Sequence, residues 1–186
     1  MKQFPGARDL ILGELTRALG AVDPAQAAAA VDALCGAHRV FVIGAGRVML
    51  CVQAFAKRLN HLGIPASCVG AIDEPAITGS DILVAASGSG ESIVPAAIAR
   101  KAKSFGARVL YIGSNMGSTI AGLADLGVRI PCRTKLGLPG EIPSEQPMTS
   151  LFEQALLLLC DALCLQIMAR RGIDPADAWR SHANLE

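Results

Sequence analysis

The feature of the sequence that most limits its fold is an alternation of short apolar runs with longer helical runs. The short runs are mostly apolar and occupy residues 39–43, 66–69, 81–86, 108–112 and 128–130. Runs with helical periodicity separate most of them. Strands that alternate with helices predict a parallel sheet covered on both faces, because each parallel connection must cross over the sheet.

The same pattern predicts seven helices. They cover residues 8–21, 24–37, 47–62, 92–105, 119–124 and 150–171, and a last one runs from 175 to about 182. The pairs Asp23-Pro24 and Asp174-Pro175 are typical helix starts, with an acid at the N-cap and a proline in the first turn. The sequence contains no internal repeat, low-complexity linker or second core. We therefore expect residues 1–186 to form a single domain with added N-terminal and C-terminal helices.

Two glycine-rich turns predict where a ligand would bind. The turn Gly44-Ala45-Gly46 follows the first strand, and a serine-glycine loop at residues 87–92 follows the third. In the flavodoxin-like strand order 2-1-3-4-5, the chain reverses direction between strands 1 and 3, and the loops that leave them form a crevice. We therefore expect a three-layer α/β fold with about five parallel strands in this order, and both turns beside one crevice.

The composition favours a well-packed domain that associates with other subunits. Hydrophobic residues make up 52% of the chain and charged residues 18%, so apolar surface is expected to remain for contacts between subunits. The formal net charge of +1 offers no electrostatic attraction to nucleic acid or to an anionic membrane.

The cysteines favour a reducing compartment. Of the six, Cys51, Cys160 and Cys164 lie in apolar helical runs and Cys68 lies in an apolar strand, as expected of reduced thiols that pack in a core. Charged residues interrupt any apolar run near the N-terminus, so no secretory leader is predicted. We expect a cytoplasmic protein.

The serine-glycine loop is a candidate phosphate site. It reads Ser87-Gly88-Ser89-Gly90-Glu91-Ser92 and precedes a predicted helix. Glycines let backbone amides approach an anion, hydroxyls add donors, and the helix N-terminus adds partial positive charge. An ordinary turn in which one serine caps the helix is the alternative, but three hydroxyls exceed what a cap needs.

Three related motifs are excluded at these turns. A P-loop would need a lysine, and none follows the serine-glycine loop. A dinucleotide fingerprint would need a third glycine where Met49 stands, and a nucleophile elbow would need a glycine where Ser87 stands. With these motifs excluded, a phosphomonoester is the ligand that we expect at the serine-glycine loop.

Three charged or titratable residues are further candidates. Arg47 follows the first glycine turn, where a cation opposes the helix dipole, so structure alone does not favour it and it is a candidate ligand; a surface arginine at a helix start is the alternative. Glu153 lies three residues after Ser150, which favours a capping box, although a carboxylate that opens an apolar helical stripe can also serve as a base. His182 is explained equally well as a surface imidazole near the end of a helix.

Cys160 and Cys164 lie on one helical face, four residues apart. No further ligands stand near them in the sequence, so core packing is the better interpretation and no metal site is predicted.

The sequence resembles the sugar isomerase (SIS) domain family and, within it, the 6-phospho-3-hexuloisomerases. The glycine turn and the serine-glycine loop resemble the wider family. More specific likenesses are KRLNHLG at residues 57–63, QPMTSLFEQ at 146–154 and HANLE at 182–186. The similarity covers nearly the whole chain.

The resemblance implies an isomerase that interconverts D-arabino-3-hexulose 6-phosphate and D-fructose 6-phosphate without a metal or organic cofactor. It implies a homotetramer with sites at subunit interfaces, in the formaldehyde-fixing ribulose monophosphate pathway, with 3-hexulose-6-phosphate synthase as the functional partner. Carried over by position, Glu153 would be the base and His182 a second site residue. The substrate-binding residues would be Gly44, Gly46, Arg47, Ser87, Gly88, Ser89 and Ser92.

Three positions depart from the family pattern. Val48 replaces a serine and removes a donor from the first turn, while Thr149 replaces a common glycine and is expected to narrow the approach to Glu153. Ser181 stands where arginine is usual. Two other functions stay open: an aldose–ketose phosphosugar isomerase on the same fold, and a non-catalytic sugar-phosphate-binding module.

Overall fold

The computed structural model describes residues 3–179. Five strands alternate with helices in the predicted manner. The strands are β1 (Val40–Ile43), β2 (Ala66–Cys68), β3 (Ile82–Ala86), β4 (Arg108–Gly113) and β5 (Leu126–Arg129). The helices are α1 (Phe4–Gly20), α2 (Pro24–Gly36), α3 (Arg47–His61), α4 (Ile93–Ser104), α5 (Thr119–Leu123), α6 (Ser150–Arg171) and α7 (Pro175–Ala178).

All strand pairs are parallel and the order is β2-β1-β3-β4-β5. The predicted flavodoxin-like topology is therefore confirmed. Val40 of β1 lies opposite Ala66 of β2 and Ile82 of β3. The chain thus leaves β1 toward one side and β3 toward the other, and the loops after these strands diverge at the carboxyl edge of the sheet.

The two faces of the sheet belong to separate cores, which confirms the three layers. Val40 and Val42 pack with α1, α2, α3 and α6, whereas Phe41 and Ile43 pack with α4 and α5. Alternate side chains of a strand point to opposite faces, so a strand buried on both sides must be apolar throughout. This explains why β1 and β3 are unbroken apolar runs in the sequence.

Most predicted boundaries agree with the structure to within one residue, and α1 and β5 differ more. Helix α1 begins at Phe4 rather than residue 8, because Pro5 stands in its first turn, where proline is tolerated. Strand β5 begins at Leu126 rather than residue 128, because Leu126 and Gly127 pair with β4. Glycine has a low strand propensity, so the sequence hides this start.

Helix α6 is long and apolar enough to cross a membrane by length and composition alone. It is instead a core helix, since 56% of its most apolar window is buried within the protein. Some large side chains stay outside: Leu165 is 68% exposed, and Leu157 and Leu158 are also exposed. Part of the apolar surface expected from the composition therefore lies on the outer side of this helix.

Candidate active site

A cleft of about 960 Å³ opens at the carboxyl edge of the sheet, where β1 and β3 diverge. Four segments line it: the turn after β1, the loop after β3, the start of α6, and the segment between β5 and α6. The structure thus brings both predicted glycine-rich turns to one crevice, as expected from the topology.

The turn after β1 depends on its two glycines. A Cβ atom at Gly44 would lie 2.9 Å from the Met49 amide nitrogen and from a Val48 methyl group, too close for any other residue. Gly46 has a φ of 57°, in the left-handed region that favours glycine. Together they let the backbone turn sharply into α3 and place Arg47 at the cleft.

The serine-glycine loop, residues 87–92, is ordered by its own hydroxyl groups. The Gly90 amide donates to Ser87 Oγ at 3.1 Å, and Ser87 Oγ lies 3.0 Å from Ser92 Oγ. The Glu91 amide donates to Ser89 Oγ at 3.3 Å. Ser92 occupies the N-cap of α4, but its side chain makes no capping hydrogen bond. A simple helix cap therefore does not explain this loop.

The buried Tyr111 of β4 supports the loop from below. Its hydroxyl donates to the Ser87 carbonyl oxygen at 2.9 Å and to the Asn115 carbonyl oxygen at 3.2 Å. Burial, the largest influence, raises the pKa of Tyr111 to about 12, so the phenol stays protonated and keeps donating at neutral pH. The loop is thus held in shape before any ligand arrives.

The capping box that the sequence favoured for Glu153 is wrong. The Ser150 amide donates to the Pro147 carbonyl oxygen at 3.2 Å, and the N-cap of α6 is Thr149, which makes no side-chain cap. The Glu153 carboxylate is only 8% exposed and turns to other partners. Because the helix start is satisfied by the backbone, the carboxylate is available to the cleft that it lines.

Glu153 contacts two side chains, one at the start of α3 and one at the N-cap of its own helix. Arg47 Nε donates to Glu153 Oε2 in an ion pair, and Thr149 Oγ1 donates to Glu153 Oε1 at 3.0 Å. The Cys51 thiol donates to the Glu153 carbonyl oxygen at 3.2 Å, which ties α3 to α6 beside the site. Thr149 was expected only to narrow the approach, whereas its hydroxyl also orients the carboxylate.

The segment between β5 and α6 also lines the cleft, although none of its residues was among the predicted site residues. Arg133, Lys135, Gln146 and Met148 from this segment line the cleft. Its glycine-rich and proline-rich composition hid an ordered structure, although its two cations beside a predicted phosphate loop were a usable signal. Arg133 and Lys135 are exposed.

Glu141 folds the first half of this segment into a compact loop. Its carboxylate accepts hydrogen bonds from the Thr134 hydroxyl at 2.7 Å, the Thr134 amide at 3.0 Å and the Leu138 amide at 3.1 Å. A Cβ atom at Gly88 would lie 3.6 Å from Thr134 Cγ2. Thr134 therefore packs against the serine-glycine loop, and its two cationic neighbours line the same cleft as that loop.

Two further predictions concern His182 and the cysteines. His182 lies outside the described residues, as does Ser181. All six cysteines are free, and Cys160 and Cys164 are buried in the core as predicted. Burial raises the pKa of the Cys164 thiol to about 12. Within residues 3–179, no group of three or more His, Cys, Asp or Glu side chains could hold a metal ion.

These features define an α/β protein with a polar cleft at the switch point of its parallel sheet. A family model for the SIS domain matches residues 33–163, and the chain belongs to that family. A 3-hexulose-6-phosphate isomerase of Bacillus subtilis is 39% identical over 95% of each chain. One from Mycobacterium gastri is 37% identical over 95% of this chain and 88% of its own.

A solved structure extends this likeness to three dimensions. The chain is similar to the crystal structure of a hypothetical protein from Methanococcus jannaschii, with a TM-score of 0.84 and 25% identity. That structure was used to infer a molecular function of 3-hexulose-6-phosphate isomerase for that protein. The match covers 97% of this chain and 99% of that one. The resemblance found in the sequence is therefore confirmed.

Proposed function

We propose that this protein is a phosphosugar isomerase that interconverts D-arabino-3-hexulose 6-phosphate and D-fructose 6-phosphate through a cis-enediol. The observation that carries the proposal is the shared cleft: the serine-glycine loop and the Glu153 carboxylate line the same cavity. An anion site and a base in one cleft are what the isomerisation of a phosphorylated ketose requires. The curated relatives named above support this substrate.

The phosphate group would bind at the serine-glycine loop. Ser89 and Ser92 line the cleft at the N-terminus of α4, where backbone amides and the helix dipole favour an anion. Ser87 is buried and orders the loop from within. Gly44, Gly46 and Gly88 would contribute close backbone approach rather than side chains.

Glu153 would be the base. The carbonyl group moves from C3 to C2 of the sugar. Glu153 removes the C2 proton while a water molecule gives a proton to the C3 carbonyl oxygen, which leaves a 2,3-enediol. Glu153 then returns its proton to C3 while the C2 hydroxyl gives its proton to the hydroxide that the water left, and C2 becomes the carbonyl. One carboxylate can serve both carbons because their hydrogens lie on the same face of a cis-enediol. Arg47 and Thr149 hold it in place.

We propose that the protein is a homotetramer with sites at subunit interfaces, and that His182 completes a site as a second catalytic residue. Leu157, Leu158 and Leu165 expose apolar surface on α6, which a second subunit would cover. Sedimentation at micromolar protein concentration should show no stable monomer. A monomer with full activity would contradict both the assembly and an interfacial site.

We also propose that residues 1–186 form one SIS domain with added helices at both ends, working in the cytoplasm. In the formaldehyde-fixing ribulose monophosphate pathway, 3-hexulose-6-phosphate synthase would supply the substrate. The family match at residues 33–163 leaves α1 and α7 outside it, in agreement with this division.

The test is a coupled assay for fructose 6-phosphate formed from 3-hexulose 6-phosphate. We expect turnover with this substrate and much less with a panel of phosphorylated aldoses. Preference for an aldose would move the protein to the aldose–ketose isomerases. Binding of sugar phosphates without turnover of any of them would identify a sugar-phosphate-binding module.

A further inference from the structure

Helix α1 carries a buried carboxylate that accepts hydrogen bonds from three groups more than 100 residues away in the sequence. Glu14 is 1% exposed. Its Oε2 accepts hydrogen bonds from Ser144 Oγ at 2.6 Å and Gln146 Nε2 at 2.9 Å, and its Oε1 accepts from the Glu145 amide at 2.8 Å. The Ser144 hydroxyl also accepts from the Gln146 amide at 3.0 Å. Three consecutive residues are thus tied to one side chain.

Burial of a charge is costly, and here the hydrogen bonds offset that cost. Burial alone would raise the pKa of Glu14, but the bonds from Ser144, Gln146 and the Glu145 amide, together with nearby Arg17, hold it below the usual value. At neutral pH the group is therefore an anion that accepts charge-assisted hydrogen bonds. Such bonds fix a segment more firmly than neutral ones.

The segment that Glu14 holds belongs to the cleft. Ser144 and Gln146 line it, and Pro147 follows directly. The Pro147 carbonyl oxygen accepts from the Ser150 amide and from Ser150 Oγ at 2.8 Å, which begins α6 one turn before Glu153. The order imposed by Glu14 is thereby passed to the wall of the cleft and to the start of the helix that bears the proposed base.

We infer that Glu14 is a positioning residue, which holds residues 144–146 in the conformation that binds the phosphosugar. This inference rests on the proposed function. It assigns a role in the active site to a helix that lies outside the SIS domain match. Glu14 acts through the loop and touches no reacting atom.

The kinetic consequence follows from population arithmetic. Without Glu14, residues 144–146 are in the binding conformation for only a fraction of the time. The apparent affinity for the substrate is the intrinsic affinity multiplied by that fraction. If that fraction is about one tenth, KM rises about tenfold. The turnover number changes less, because the bound complex restores the ordered wall.

Asp81 offers a matched control. It is a carboxylate only 3% exposed that also accepts three hydrogen bonds, from the Thr78 amide at 2.7 Å, the Thr78 hydroxyl at 2.8 Å and His38 Nδ1 at 3.1 Å. It stands immediately before β3, at the amino edge of the sheet, whereas the cleft is at the carboxyl edge. Its loss tests what removing a buried carboxylate does to stability alone.

The experiment compares Glu14→Ala and Glu14→Gln with Asp81→Asn in the full-length protein. Hydrogen exchange followed by mass spectrometry is measured without substrate, and KM and kcat are then measured with 3-hexulose 6-phosphate. We expect faster exchange at residues 143–149 and a raised KM in Glu14→Ala. Asp81→Asn should leave both unchanged. Glu14→Gln, which keeps one acceptor oxygen and the side-chain shape, should be intermediate and remains usable if the alanine variant does not fold.

Unchanged exchange at residues 143–149 in the glutamate variants, or equal changes in Asp81→Asn, would overturn the inference. So would faster exchange with an unchanged KM. The exchange measurement needs no turnover, and inactivity of the wild-type protein toward the sugar would instead count against the proposed function.

Discussion

The two walls of the cleft are built in opposite ways. The side-chain hydroxyl groups of the serine-glycine loop bond within the loop, between residues at most five positions apart, and Tyr111 of the neighbouring strand supports the loop from below. The second wall, residues 132–149, is ordered by Glu141 within the segment and by Glu14 from a helix about 130 residues away. The first wall is a recognisable motif, and the second is recognisable only once the helices are packed.

This difference indicates a division of labour. The serine-glycine loop depends on its own residues and on the strand beside it. The second wall depends on a distant helix, so it can be altered without changing the hydrogen bonds within the proposed phosphate loop. We therefore expect changes in the first wall to affect phosphate affinity and changes in the second to affect substrate fit, while Glu153, which Arg47 and Thr149 hold in place, controls the chemistry.

The largest expected effect is at Glu153, because it is the proposed base that accepts the substrate proton. Glu153→Gln keeps the shape of the side chain but cannot accept the proton, so kcat should fall by about 10²- to 10⁴-fold with the fold intact. Solvent-deuterium exchange at the substrate carbon should be lost as well. Steady-state kinetics and mass spectrometry of recovered substrate measure the two.

Asp161→Asn removes another carboxylate from α6 and is the control, since Asp161 does not line the cleft. It should turn over like the wild type. If Glu153→Gln also turns over within a few-fold of wild type, the base lies elsewhere and His182 is the next residue to test.

The second effect concerns the first wall. Replacing both Ser87 and Ser89 with alanine removes a hydroxyl group that orders the loop and a second that lines the cleft, and each hydrogen bond to a charged phosphate that is lost as a result is worth roughly 1.5–3 kcal/mol. Affinity for fructose 6-phosphate should drop by at least tenfold for each bond lost. Calorimetry on the folded double variant checks this, and an unchanged affinity would remove the phosphate assignment.

A third and smaller effect concerns the cations of the second wall. Arg133→Gln and Lys135→Gln should each raise KM a few-fold at low salt, because both cations line the cleft that would hold the anionic substrate, and added salt should shrink the difference. Arg108→Gln, an exposed cation at the amino edge of β4, is the matched control and should leave KM unchanged. Equal KM values in all three variants would show that the two cations do not contribute to substrate binding.

The smallest effect is on stability at low pH and compares the two edges of the sheet. Burial would raise the pKa of Asp81, but hydrogen bonds from Thr78 and His38 hold it below its usual value, as the loop donors do for Glu14. A depressed pKa in the folded state adds stability that is present above the unfolded pKa and lost as pH falls through the folded one. Denaturant unfolding between pH 7 and 3 should therefore show a shallower decline in Asp81→Asn than in wild type, whereas an identical decline would contradict the shift.

Glu153 shows which parts of the candidate site could be predicted: its place at the start of α6 could be, but its side-chain partners could not. The spacing of Ser150 and Glu153 fits a capping box, and the structure places the carboxylate against Arg47 instead. Both arrangements are compatible with the same local sequence. The choice between them depends on how α3 packs against α6, and the spacing of residues within α6 contains no information about that.

The sequence by itself determined the order of the elements, the parallel sheet, the site at the divergence of β1 and β3, and the serine-glycine loop. Each of these follows from periodicity, turn chemistry or the handedness rules of α/β folds, which act over a few residues or over whole elements. Only the tertiary structure shows the partners of Glu153, the ordering of residues 132–149 and the hydrogen bonds of Glu14. These are single hydrogen bonds between residues far apart in the chain, and a shift of one helix by an ångström would make or break them without changing the sequence pattern.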